Sequence, residues 1–218
     1  MNKIAESYKR LNRCRAVAKE KGDAGEEIAV NLALEFQETT DCILLWSYSY
    51  PYQTYRDNRV VEGNFKWDGK EVVELTKEGY SDEIDLVIIT DYRIFVIECK
   101  ARSGKWLLYD HWAKQNSAKV DKVPHIQCEK HCRHFYHLVR EFLPDGKADY
   151  IQPLTVYVDK CSIKDNRSIK YKKYMPICIA NTFKRTLKSY NKPLEYSLYK
   201  RKIFDFLLTK GDVVKAYA

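Results

Sequence analysis

The sequence predicts a mixed α/β fold, a central sheet flanked by helices. Two observations carry that prediction. A pair of β-branched, nearly continuous apolar runs occupies 84–90 and 94–100, and the flanking segments hold apolar residues that recur every three or four positions. Runs of the first kind belong to central strands covered on both faces, and stripes of the second kind to helices lying on a sheet. At 218 residues and 45% apolar composition the chain can bury a core in one domain. No repeat, low-complexity block or Gly/Pro-rich linker divides the sequence.

In chain order, residues 2–20 read as a helix charged all round. Residues 22–36 read as a second helix, separated from the first near Gly22, with Ile28, Leu32 and Phe36 as its packing face. A strand follows at 42–48, then a polar, aromatic-rich insertion over 50–80 in which Asp68-Gly69 marks a hairpin turn. After the two central strands, 105–109 predicts another strand. Residues 125–142 predict a helix whose Cys128, Cys132, Phe135, Val139 and Phe142 face the sheet. Strands at 154–158 and 176–180 and helices at 182–190 and 194–208 complete the chain.

Thirty-eight Lys and Arg against 30 Asp and Glu leave a formal charge of +8, which favours polyanionic partners such as nucleic acid. A solvated basic surface gives the same number, so charge acquires meaning only through a site. The N-terminal 22 residues lack the apolar stretch of an export signal, and the apolar runs elsewhere are too short to span a bilayer. A cytoplasmic location without a membrane partner is the expectation. The seven cysteines are odd in number, scattered and free of any Cys-x-x-Cys pair, which speaks against a disulfide framework or a zinc knuckle. Reduced, packed thiols are expected.

The chemistry lies at the ends of the two central strands. With the turn centred between Asp91 and Tyr92, Asp85 falls opposite Glu98, whether the loop has two residues or four. Side chains alternate along a strand, so Glu98 and Lys100 share a face with their Cα atoms roughly 6.5–7 Å apart. Opposed carboxylates at the end of an apolar run are costly unless a cation neutralises them. Magnesium suits such a site, since it takes oxygen ligands and keeps several waters. It would polarise a phosphodiester while Lys100 orients the attacking water or offsets developing charge. Glu-x-Lys alone reads as an ordinary ion pair at a strand end; the register with Asp85 changes its meaning.

Asp85 followed thirteen residues later by Glu98-Cys99-Lys100 resembles the signature of PD-(D/E)xK nucleases. Together with Gly22-Asp23-Ala24-Gly25-Glu26 and the stretches 82–89 and 94–100, the chain resembles the nuclease-related domain family over about residues 22–180. The resemblance implies a restriction-endonuclease-like core, here with a helical extension over 1–21 and C-terminal helices over 181–218. It also implies that a helical glutamate, Glu26, joins Asp85 and Glu98 at the metal, and that a later helical glutamine, Gln127, belongs to the site. Taken alone, Glu26 is equally an acid favoured by the dipole of a helix's first turn. Gln127 and His131, one turn apart, could face the same cleft.

The function these residues predict is metal-dependent hydrolysis of DNA, endonucleolytic ahead of exonucleolytic. Mg2+ is the expected cofactor, with Mn2+ able to substitute. RNA remains open as a substrate, and a homodimer is compatible with the sequence. The alternative is a nucleic-acid-binding module on the same fold that cleaves weakly or not at all. A third reading is a zinc-binding interaction module built on His125, Cys128, His131, Cys132, His134 and His137, although the two cysteines fall on the apolar stripe, where packing is expected. The runs 48–52 and 170–174 interleave tyrosine with polar or cationic residues, a pattern equally suited to stacking bases and to amphipathic packing.

Overall fold

The computed structural model describes residues 22–51, 53–56, 59–62, 65–67, 72–74 and 81–218. The charged segment 2–20 and the Asp68-Gly69 turn lie outside the described residues. Helix α1 covers residues 22–37, and among the described residues fourteen strands and four further α-helices follow. Strand β1 (Cys42–Pro51) leads through two short hairpins, β2 (Gln53–Arg56) with β3 (Arg59–Glu62) and β4 (Phe65–Trp67) with β5 (Val72–Glu74), to β6 (Ser81–Thr90) and β7 (Ile94–Lys100). Next come β8 (Gly104–Tyr109), β9 (Trp112–Gln115), β10 (Ala118–Lys119), α2 (Pro124–Val139) and β11 (Ile151–Tyr157). The chain then forms β12 (Cys161–Asp165), α3 (Ile169–Tyr174), β13 (Ile177–Ile179), α4 (Ala180–Tyr190), α5 (Lys200–Lys210) and β14 (Asp212–Tyr217).

Six strands build a mixed sheet in the order β13-β11-β7-β6-β1-β14. Its β7, β11 and β13 run parallel, while β6, β1 and β14 pair antiparallel. The apolar runs of β6 and β7 make them central because helices cover both faces. Ile94 and Val96 meet α2 and α5 through Cys128, Phe135, Ile203 and Leu207. Phe95 and Ile97 meet α1 and α4 through Ala33, Phe36, Phe183 and Leu187. A smaller sheet, β10-β9-β8-β12, packs Trp106 and Leu108 against Tyr157. The fold is therefore mixed α/β with a helix-flanked sheet, and among the described residues no helix is long and apolar enough to cross a membrane.

The β6–β7 turn is tight: the Thr90 N–H donates to Arg93 O at 2.9 Å. Thr90 Oγ1 accepts from the amides of Tyr92 and Arg93, which holds the two residues between them. Pairing runs from Ile89↔Ile94 to Leu86↔Ile97, the register that a turn centred between Asp91 and Tyr92 dictates. Beyond Leu86 and Ile97 the two strands part. β6 continues along β1 as far as Ser81, whereas β7 continues along β11 as far as Lys100.

The structure corrects several expectations. On α1 Phe36 is buried and Leu32 packs against the core as expected, but Ile28 is 42% exposed, and the buried stripe is Gly25, Ala29, Val30, Ala33 and Phe36. The cause is close approach, for a Cβ on Gly25 would sit 2.5 Å from Ala101 Cβ. The last helix begins at Lys200 rather than at 194. Preceding it, the Leu198 N–H is spent on Asp91 O (2.7 Å) and the Tyr196 N–H on the Tyr150 hydroxyl (3.1 Å), so this backbone is tied to its neighbours instead of to itself. Nor does the chain close in helices, since β14 adds an edge strand to β1. The predicted helix over 125–142 gives way at Arg140 to a 3-10 turn, Arg140–Phe142. The strands β9, β10 and β12 and the helix α3 were not anticipated. The six cysteines among the described residues carry no disulfide, and all but Cys161 are buried.

Candidate active site

Where β6 and β7 separate, the sheet leaves a wedge, and the wedge is a cleft of about 500 Å³. Glu26, Asp85, Glu98, Lys100 and Gln127 all line it. The five site residues expected from the sequence thus come together at one place. Asp85 and Glu98 do not form a ladder pair, because pairing ends one residue earlier. Instead, Asp85 Oδ2 accepts the Cys99 N–H at 2.7 Å, and the carboxylate occupies the gap between the strands.

A change in side-chain alternation prepares this position. Ile84 and Val87 both face the α2 side, as do Leu45 and Tyr48 on the neighbouring strand, so the two-residue period breaks between them. Ser47, with φ 51, lies at the break on β1, where the β1–β6 ladder passes from Trp46↔Leu86 to Tyr48↔Ile84 and leaves Ser47 and Asp85 unpaired in it. Glu98 and Lys100 stay in phase with Ile94 and Val96 and so face α2. Glu98 is 1% exposed; Oε1 accepts from Lys100 Nζ, while Oε2 is buried without a hydrogen bond and has His131 Nδ1 at 3.4 Å.

Glu26 enters from α1, on the other side of the sheet. Gly25 lets this end of the helix touch Ala101 and Val158, just past β7 and β11. The half-buried Trp46 donates from Nε1 to Glu26 Oε2 at 3.4 Å. From α2, Gln127 reaches the same cleft one turn before His131.

The acids disturb one another. Burial, with the Asp85 charge adding to it, pushes the Glu98 carboxyl up to about 8, although Lys100 pulls the other way. Burial and Asp85 likewise raise Glu26 to about 7 against the opposing Trp46 hydrogen bond. Asp85 is itself raised by burial, with the Cys99 amide and Lys100 opposing. For Lys100, burial alone would lower the ammonium, but Glu98 and Asp85 together hold it above the usual lysine range. Glu98 and Glu26 therefore give up their protons less readily than free carboxyls, a cost that a bound cation would offset.

A divalent cation fits this chemistry. The donors are carboxylate oxygens, which suit a hard ion, and Glu98 Oε2 is a buried acceptor lacking a hydrogen bond. Among the described residues no group of three or more His, Cys, Asp or Glu side chains is placed to hold a metal unaided. An ion that retains part of its water shell needs no such cage. Two of the His/Cys helix's candidate zinc donors are engaged away from the cleft: Cys128 Sγ donates to Val96 O and Leu154 O at 3.4 and 3.5 Å, and His125 Nε2 donates to Tyr109 O at 2.9 Å.

Sequence reasoning passed over Trp46, and over Ser103, Gln115 and Asp159, which also line the cleft. Gln115 and Ser103 arrive through β8 and β9 and are joined by a 2.8 Å bond from Gln115 Nε2 to Ser103 O. Only the pairing of the smaller sheet, silent in the sequence, brings them near.

A mixed sheet flanked by helices, with acids and a lysine gathered where central strands part, is the arrangement of a nuclease-like fold. Residues 21–158 match the family model described as nuclease-related domain, more than half of the chain, and the chain belongs to that family. No curated protein and no solved structure matches it.

Proposed function

We propose that the chain is a magnesium-dependent deoxyribonuclease that hydrolyses phosphodiester bonds in this cleft, as one nuclease-like domain acting in the cytoplasm. The observation that carries the proposal is the meeting of Glu26, Asp85, Glu98, Lys100 and Gln127 in one cleft, around a buried Glu98 oxygen with no hydrogen bond. Asp85, Glu98 and Glu26 would hold Mg2+, with Mn2+ able to replace it. The bound cation supplies charge neutralisation at the phosphate and lowers the pKa of water. Lys100, anchored on Glu98 Oε1, holds the attacking water and offsets charge developing on the phosphate oxygens. Gln127 offers a neutral donor and acceptor on the α2 side of the cleft. The net charge of +8 draws the DNA backbone toward it.

The test is incubation of the purified chain with linear, circular and single-stranded DNA and with RNA, in Mg2+, Mn2+ or chelator, beside Lys100→Met and Asp85→Asn. Cutting of circular DNA that requires the cation and disappears in both variants is the expected result. A folded wild type that binds DNA and cuts none of the substrates with either metal overturns the proposal in favour of a binding module.

A further inference from the structure

His131 belongs to the site without belonging to the function derived above. It lies on α2, one turn beyond Gln127, and is 7% exposed. Its Nδ1 is 3.4 Å from Glu98 Oε2, close enough for an ion pair yet outside hydrogen-bond alignment. Lys100 holds the other oxygen of the same carboxylate. The Glu98 side chain is thereby spanned between a strand neighbour and a helix.

We propose that His131 is a positioning residue: Nδ1 fixes the rotation of the Glu98 carboxylate and so sets which oxygen faces the cleft. The inference rests on the reading of Glu98 as a metal-holding acid, and it adds the group that aims that acid. A carboxylate gripped at one oxygen by a flexible lysine can still turn about its terminal torsion, which is broad and nearly two-fold. A second contact from a ring on a packed helix removes that freedom. The α2 stripe of Cys128, Cys132, Phe135 and Val139 is buried against the sheet, so the ring's place is set by the core. Hydrogen bonds of this kind are often long in the metal-free state and tighten once the site is filled. Partners of metal-holding carboxylates typically contribute about 10- to 100-fold to metal affinity.

The experiment measures Mn2+ binding to the full chain by titration calorimetry and by the paramagnetic resonance signal of free Mn2+, without any nucleic acid. Wild type is compared with His131→Phe, which keeps a packed ring and lacks a donor, and with His131→Asn, whose amide nitrogen falls near the place of Nδ1. Metal-free melting curves report on folding. The expected result is Mn2+ affinity weakened about 10- to 100-fold in His131→Phe and largely restored in His131→Asn, with melting temperatures of the two variants alike. In DNA cleavage the loss should appear in kcat and leave KM unchanged. Wild-type affinity in His131→Phe, or equal weakening in both variants, overturns the inference while leaving the nuclease reading in place. Failure of the wild type to bind Mn2+ overturns both.

Discussion

Gly25→Ala sets two effects of opposite sign against each other, and the structure decides between them. In an exposed helix interior the change stabilises by about 1 kcal/mol, because alanine loses less backbone entropy than glycine. Here the new methyl would lie 2.5 Å from Ala101 Cβ and 3.0 Å from Val158 Cγ2. Ordinary carbon contacts need about 3.5–4 Å, so something must shift by roughly 1 Å. Neither neighbour yields easily, since Ala101 and Val158 follow directly on paired strands and the Val158 N–H is bonded to Lys100 O at 3.1 Å. Overpacking costs about 1–3 kcal/mol, and the immobility of both contacts argues for the upper half of that range. The net expectation is a loss of about 1–2 kcal/mol, or roughly 2–8 °C in melting temperature for a chain of this size. The helix should also carry Glu26 away from Asp85 and weaken Mn2+ binding about tenfold. Thermal melting and Mn2+ titration of the full chain test both parts. A variant that melts higher than wild type and binds Mn2+ equally well would refute the argument that this glycine docks α1 on the sheet.

Two further outcomes follow from the site and its surroundings. In the folded, metal-free chain Glu98 keeps its proton to about 8 and Glu26 to about 7, whereas both ordinarily release it near 4.5. Between those values the unfolded state binds fewer protons, so stability falls as pH rises, by up to about 1.4 kcal/mol per unit for the buried Glu98 and less for the more exposed Glu26. Glu98→Gln should flatten its part of the decline, and Mn2+ should stabilise the wild type more at pH 8 than at pH 5 because it competes with those protons. Melting curves across that range check this; a wild type minus variant difference that does not change with pH would contradict it. Away from the cleft, Arg167 is 3% exposed, bonds both oxygens of Asp165 at 2.9 and 2.8 Å, and donates to Met175 O at 2.8 Å. Arg167→Ala should cost about 3 kcal/mol or more by urea unfolding, and Arg167→Lys should recover little, since an ammonium cannot reproduce the planar fork.

The register of the central hairpin was legible because side-chain period and turn position are both local, and 84–100 contains them. The helix stripe with Cys128, Cys132, Phe135 and Val139 was legible for the same reason. What escaped depends on distant partners. The face of α1 was misread at Ile28, while Leu32 and Phe36 do pack inward; what escaped is the contact made by Gly25, Ala29 and Ala33, whose small size marks close packing rather than hydrophobic weight. The edge strand β14 is mostly exposed and carries no alternating apolar signal. The parting of β6 from β7 is equally invisible in sequence, because it shows only in the distant partner each strand goes on to follow, β1 for β6 and β11 for β7. The carboxylates could therefore be named, but not the wedge that holds them.

The bond from the Cys99 amide to Asp85 Oδ2 gives one acid two duties. Its oxygen stands in for the main-chain acceptor that β7 loses when its neighbour turns aside, so the frame of the sheet and the chemistry of the cleft lean on the same atom pair. On the proposed nuclease reading, a descendant that abandoned cutting would still be obliged to keep an acceptor at position 85, and asparagine would satisfy the obligation as well as aspartate. Retention of an acceptor there reports an intact frame, while Lys100, which completes no ladder with its side chain, is where the surrender of catalysis would first be written.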